Sequence, residues 1–358
     1  MLPSAGTEAA ANRFVPLTLH GITHAGMAHA IGPAGADFAG TRVHAITQGS
    51  VAALVSEARW FSHWKLPPPF PQIKRSISPS PVLSALASLT PMVPVAGDLR
   101  FPSEPSLRKL LADRELELDE IVLRHSGFLE CEVRAEFDQS SALADLSNKT
   151  SITVVDAINE AEIELVRRTL QQTLAGRQGE FVARLRRILA NSAADASTPI
   201  PGSRHEVFAR CVLIARSSCK EFRAALTALA RDAGVGARLI VSEMRPPIHF
   251  RRLEVRGPNI TEIDAAREAL GVANSTDRAA IRIAYRRTIE RFSAQSGTEQ
   301  QEQMARLNAQ FSLLELVADG QIKAARGAPD APVQLDAQSL SQTWLLRFKQ
   351  REASERVA

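Results

Sequence analysis

Three glutamates, Glu130, Glu132 and Glu136, fall at even spacings in Phe128-Leu-Glu-Cys-Glu-Val-Arg-Ala-Glu-Phe137. Alternate residues of a strand share a face. These carboxylates would therefore stand side by side and raise one another's pKa, the raw material of acid–base chemistry. Nothing apolar flanks them on that side, so the pattern is read as an exposed acidic strand face. His20, His24 and His29 are close in sequence, but zinc needs tight spacing on one face and a further ligand. Gly21 and Gly26 break any helix there, and no Cys or carboxylate pair accompanies them, so no metal site is expected. Cys131, Cys211 and Cys219 contain no Cys-x-x-Cys pair. A sparse, odd count points to a reducing compartment rather than a disulfide framework. Cys211, inside an apolar run, reads as a small buried hydrophobe. Gly-x-Ser-x-Gly, P-loop, Gly-x-Gly-x-x-Gly and His-Glu-x-x-His motifs are all missing. The expectation is a protein that is not an enzyme and uses no cofactor.

The remaining conspicuous residues suit binding. Arg278, Arg282 and Arg286, with Arg287 and Arg291, recur along one side of a helical pattern. Such a row serves either as a dock for an acidic partner or as a solvated helix face. Trp60, Phe61, Trp64 and Phe70 are interleaved with Pro67, Pro68, Pro69 and Pro71. Tandem prolines favour an extended segment, which reads as a surface loop pinned by its own aromatics or as a partner-binding arm. The candidate partner contacts are Trp60, Trp64, Phe70, Arg245, Arg278, Arg282 and Arg286. Nucleic acid is not expected: a net charge of +4 over 358 residues is mild, aromatics are 5% with Tyr285 the one tyrosine, and no recognition motif is present. No apolar run approaches the ~20 residues that span a bilayer, and the N-terminus lacks the regions of a signal peptide. A cytoplasmic protein without a membrane partner is expected; its oligomeric state is left open.

The elements that position these residues follow from periodicity. A chain of 358 residues has room for two or three domains of roughly 100–200 residues, and a 45% hydrophobic content supplies their cores. The organising stretch runs from Met92 to Leu111. It reads as a short strand, a turn at Gly97-Asp98, an anchoring Phe101, and a helix capped by Ser103 whose buried face opens with Leu107, Leu110 and Leu111. A strand at 16–22, a Gly/Ala-rich loop at 26–40, a hairpin at 43–55 and a short helix at 82–89 precede it. Strand 128–137 follows. Residues 156–190 are helical by pattern, with interruptions at Gly176 and Gly179, and 191–202 read as a linker. A strong strand at 205–215, a helix opened by Ser217 or Ser218 and ended by Gly234, and strands at 238–242 and 248–255 make a second unit. Beyond Pro258 the pattern is helical, in three pieces punctuated by Gly271, Asp277 and Gly297. A tail low in apolar content begins at 324.

Several of these phrases resemble the gas vesicle accessory proteins of the L/F type (GvpL/GvpF), over roughly residues 15–256. The likeness rests on Leu17-Thr-Leu-His-Gly-Ile22, Val51-Ala-Ala-Leu-Val-Ser56, Pro94-Val95 followed by Phe101-Pro102-Ser103, the strand 208–215 with its helix, and Leu239-Ile-Val-Ser242 before Pro246-Pro247. Two places depart from that pattern. Ala96-Gly97-Asp98-Leu99 stand where the family has Arg-Phe-Gly-Thr, and Glu243-Met-Arg-Pro-Pro-Ile248 stand for Gly-Pro-Trp-Pro-Pro-Tyr. Residues 263–317 resemble a J-domain through Ala266-Arg-Glu-Ala-Leu-Gly-Val272, Ala280-Ile-Arg-Ile-Ala-Tyr-Arg-Arg287 and Leu307-Asn-Ala-Gln-Phe311. Its His-Pro-Asp turn is replaced by Ser293-Ala294-Gln295. The implied fold class is α+β: two small ferredoxin-like α+β domains, at 14–138 and 139–257, then a three-helix J-like module at 260–320 and a tail at 324–358. The implied function is a non-enzymatic accessory role, binding the vesicle shell subunit and other vesicle proteins to help nucleate or assemble the gas vesicle. The alternatives are a small-molecule enzyme or ligand-binding protein on ferredoxin-like domains, and a chaperone adaptor acting through the J-like module.

Overall fold

The computed structural model describes residues 15–32, 35–58, 81–150, 160–200, 205–293, 298–328, 331–341 and 343–351. In chain order they form strands β1 (Leu17–His24), β2 (Ala36–Phe38), β3 (Thr41–Gln48) and β4 (Val51–Glu57), helix α1 (Pro81–Leu89), strand β5 (Val93–Phe101), helices α2 (Glu104–Asp113) and α3 (Glu115–His125), and strand β6 (Phe128–Phe137). Helices α4 (Gln139–Thr150) and α5 (Glu160–Ser192), strands β7 (Ala193–Ala196) and β8 (Glu206–Ala215), helix α6 (Cys219–Asp232) and strands β9 (Ala237–Val241) and β10 (Arg251–Arg256) follow. Last come α7 (Ile260–Leu270), β11 (Ser275–Thr276), α8 (Arg278–Ser293), α9 (Thr298–Ala324), β12 (Val333–Gln334), α10 (Ala337–Leu340) and β13 (Leu345–Gln350). The fold is α+β, in two units.

The first unit draws on segments 1–74, 92–126 and 252–349. Its sheet has the order β13-β10-β5-β1-β4-β3-β2, with β1 antiparallel to β4 and β5 and β10 parallel to β5 through Leu253 and Val95. At the centre β1 shifts register between Leu19 and Gly21. A Cβ on Gly21 would stand 2.9 Å from Val93 O and run into Met92, so glycine is what lets these backbones close. The turn expected at Gly97-Asp98 is instead an irregularity within β5. Gly97 adopts φ 77°, and the strand recovers its pairing at Leu99. Ser103 does cap α2, accepting from Ser106 N at 3.4 Å. Leu107, Leu110 and Leu111 of α2 and Leu118 and Val122 of α3 pack into one core with Leu19, Val55, Val93 and Phe101.

The tail expected from 324 is built into this unit. Val333, Leu335, Leu340 and Leu345 join Ile263, Leu270, Ile281, Leu314 and Val317 in the core of α7–α9. Leu346 enters the first core, and Trp344 packs on Phe101 with ring centroids 4.3 Å apart. These apolar residues lack a period because each fills a separate gap in a core made by other segments.

The second unit draws on segments 75–91, 127–251 and 350–358. Its sheet has the order β7-β8-β6-β9, antiparallel at each pairing. Strand β6, grouped on sequence with residues 14–138, pairs with β8 from Phe128–Ala215 to Glu136–Glu206. Its inward residues Cys131, Val133 and Ala135 pack with Phe181, Leu185 and Leu189 of α5 and Phe222, Leu226 and Leu229 of α6. Helix α5 runs unbroken through Gly176 and Gly179. Each glycine costs about 1 kcal/mol against alanine, but the buried anchors Leu174 and Phe181 on either side hold the helix through them. The expected linker contains β7, paired to β8. The Arg216 guanidinium donates to the carbonyls of Ala87 (2.6 Å) and Thr90, tying down the C-terminal end of α1, where carbonyls lack helical partners.

Leu346→Ala should destabilise the protein by roughly 2–5 kcal/mol, the range for a buried leucine truncated in a core. Denaturant unfolding reads this; an unchanged midpoint would show that β13 contributes nothing to the fold.

Candidate functional site

Glu130, expected on an exposed acidic face, is 0% exposed. It does share a strand face with Glu132 and Glu136, but the chain leaving β9 turns back over it. Ile248 N donates to Pro246 O (2.8 Å) and Phe250 N to Pro247 O (3.0 Å), so Pro246-Pro247 form a tight turn. Backbone bonds in both directions between Glu130 and Arg245, at 2.8 and 2.9 Å, fix its start against β6. The Glu130 carboxylate then accepts from Arg245 Nε (2.9 Å), His249 N (3.0 Å) and His249 Nδ1 (2.6 Å). Arg245 Nη2 also reaches Cys211 Sγ at 3.6 Å. Arg245, a candidate partner contact on sequence, has a side chain only 16% exposed and bound to Glu130. Glu132 and Glu136 stay half-buried beside Arg134 and Arg238.

The basic row divides. Arg278 and Arg282 both grip Glu315 of α9, at 2.8 and 2.9 Å. The network continues through Asp319 and Glu117 to the buried Arg114 and to Lys323. Burial raises the Glu315 pKa, but hydrogen bonds from Arg282 and Arg278 outweigh it and hold the carboxyl below its usual range. Arg286, Arg287 and Arg291 are exposed and have no ionic partner among the described residues. Trp60, Trp64 and Phe70 lie outside the described residues.

The three histidines do separate work. His20 Nε2 meets Ser56 Oγ at 2.9 Å, His24 Nδ1 accepts from Gly26 N at 3.1 Å, and His29 is exposed. Burial pushes the Cys131 thiol up to about 12 and, with the charge of Glu130 next in weight, the Cys211 thiol to about 11. Thiolate, the reactive form, is therefore suppressed at both. A cleft of about 270 Å³ is lined by Lys109, Asp113, Arg114, Gln321, Thr343 and Trp344. Lys109 and Arg114 there are already bound to Asp113 and Glu117. Among the described residues no helix is long and apolar enough to cross a membrane. Sequence reasoning missed His249 as a partner of Glu130. The only local signal was the pair of prolines that folds the chain back.

Glu130→Ala should cost about 3–5 kcal/mol, because it leaves Arg245 inside the fold without its counter-charge; thermal or denaturant melts read the loss, and a neutral result would mean that the pair holds nothing together. Glu315 supplies a pH dependence. Its folded pKa lies below the unfolded value of about 4.3. Its stabilisation is therefore complete above that value and drains away as pH falls below it. Glu315→Gln should flatten the acid limb of a stability–pH curve; an unaltered limb would remove Glu315 from the network.

Curated protein sequences give no match. Among solved structures, the gas vesicle protein GvpF from Anabaena sp. PCC7120 shows 13% identity, covers 66% of this chain and 95% of that chain, and has a TM-score of 0.39. The gas vesicle protein GvpF from Microcystis aeruginosa shows 17% identity, covers 65% and 97%, and has a TM-score of 0.38. The model of the family described as gas vesicle synthesis protein GvpL/GvpF matches residues 18–252, well over half of the 358, and the chain belongs to that family.

Proposed function

We propose that this chain is a non-enzymatic accessory protein that binds the gas vesicle shell subunit and helps to nucleate or assemble the shell. Family membership across residues 18–252 carries the reading. The chemistry of the charged groups supports it. Glu130, Arg245 and His249 bind one another, as do Arg278, Arg282 and Glu315. These groups hold elements together. An apolar, strand-forming subunit needs its edges covered until it is placed in the growing shell. A protein with a strand edge unpaired among the described residues and a separate helical core offers surfaces for that cover. Residues 260–350 lie beyond the family-matched region and carry a hydrophobic core of their own, and Trp60, Trp64 and Phe70 are proposed on their residue types as contacts for the subunit or for other vesicle proteins.

In cells making vesicles, an affinity-tagged copy should recover the shell subunit, and deletion of the gene should reduce or abolish vesicles seen by electron microscopy. Failure to recover any shell subunit, together with normal vesicles after deletion, would sink the reading.

A further inference from the structure

Among the described residues, strand β9 ends its sheet with one edge unpaired. Asp138 N donates to Gly236 O and Ser242 N to Glu132 O. By the alternation of an antiparallel ladder, residues 238 and 240 face β6 and residues 237, 239 and 241 face outward. Among the described residues no hydrogen bond is made from that outward edge. The strand has no proline or bulge, two of the devices by which natural edges avoid pairing; the one charge on it is Arg238, which selects what can pair rather than barring every strand. On one side, Ala237, Leu239 and Val241 are only partly covered where they pack against the α5–α6 core. On the other side stand Ile240 and Arg238, the latter 74% exposed and 3.7 Å from Glu136.

We infer that the outer edge of β9 is a docking strand for a β-strand of another polypeptide, one that alternates apolar with acidic residues. Its apolar side would continue the row Ala237, Leu239, Val241 under α6. A carboxylate opposite Arg238 would share that guanidinium with Glu136. A lysine there would face a like charge, which is unfavourable directly across a ladder. Charge also decides against a second copy. Antiparallel self-pairing centred on Leu239 places the two Arg238 side chains on one face at the diagonal spacing of roughly 7–8 Å. The inference rests on the proposed function only for the choice of the shell subunit as the natural donor of that strand.

The probes are two peptides of about seven residues, a usual strand length, one alternating valine with glutamate and the other valine with lysine. Full-length protein should bind the glutamate peptide in preference. Arg238→Glu, a surface change, should weaken it about three- to tenfold and favour the lysine peptide. Leu239→Pro removes an outward N–H without touching the β6 ladder, and should weaken both peptides by about tenfold or more. Circular dichroism verifies that each variant is folded. No binding, or binding indifferent to Leu239→Pro, overturns the inference. So does a wild-type dimer in sedimentation that Leu239→Pro converts to monomer, because a second copy would then own the edge. Shell subunit recovered equally by wild type and Leu239→Pro removes β9 as its dock while the proposed function stands. Peptide binding as expected, with no shell subunit recovered by either, supports the docking edge and fails the proposed function.

Discussion

A carboxylate removed from water must be matched by donors or it unsettles whatever encloses it. Glu130 accepts three hydrogen bonds, and all of them come from the seven-residue run 243–249. That run connects β9 of one sheet to β10 of the other. Its course is therefore set by one buried acid on β6. Pro246-Pro247 supply the turn, Arg245 the counter-charge, and His249 the return contact. The charge does structural work because the carboxylate is 0% exposed and both of its oxygens already accept from that run.

The helical module follows the same logic with half-exposed groups. Glu315 gathers Arg278 and Arg282, and Asp319 and Glu117 gather Arg114 and Lys323. These links join α8 and α9 to each other, to Arg114 between α2 and α3, and to Glu117 of α3 within the first unit. Only the far end of the basic row, at Arg286, Arg287 and Arg291, keeps its charge facing outward. Residues past the family-matched region also complete a core begun before it. Leu253, Val255 and Leu346 pack with Leu19, Val93 and Phe101, so residues on both sides of position 252 share one hydrophobic interior.

Much of this was legible in the chain. Ser103 and Asp277 announce helix starts by side-chain chemistry, and Gly234 and Gly271 announce helix ends by their positive φ, 76° and 64°. Strands β1, β4, β6 and β8 show themselves by short-range apolar patterns, and the family by phrases spread along them. Caps, periods and phrases are properties of neighbours in sequence, which is why they can be read without a fold.

What only the tertiary structure decided depends on which distant segments meet. The alternation in β6 says that Glu130, Glu132 and Glu136 share a face; it cannot say that residues 245–249 fold over the first and leave the other two half-open. Nor does strand order along the chain say that β6 joins β8 and β9 rather than the strands before it. The scattered apolar residues Leu335, Leu340, Leu345 and Leu346 carry no period because each enters a core shaped by other elements. The basic row read from α8 became two bound arginines and an exposed remainder only when α9 brought Glu315 against it. Sequence therefore determined the elements and the family, while burial and counter-charge, which require a neighbour from elsewhere in the chain, determined what each charged residue is for.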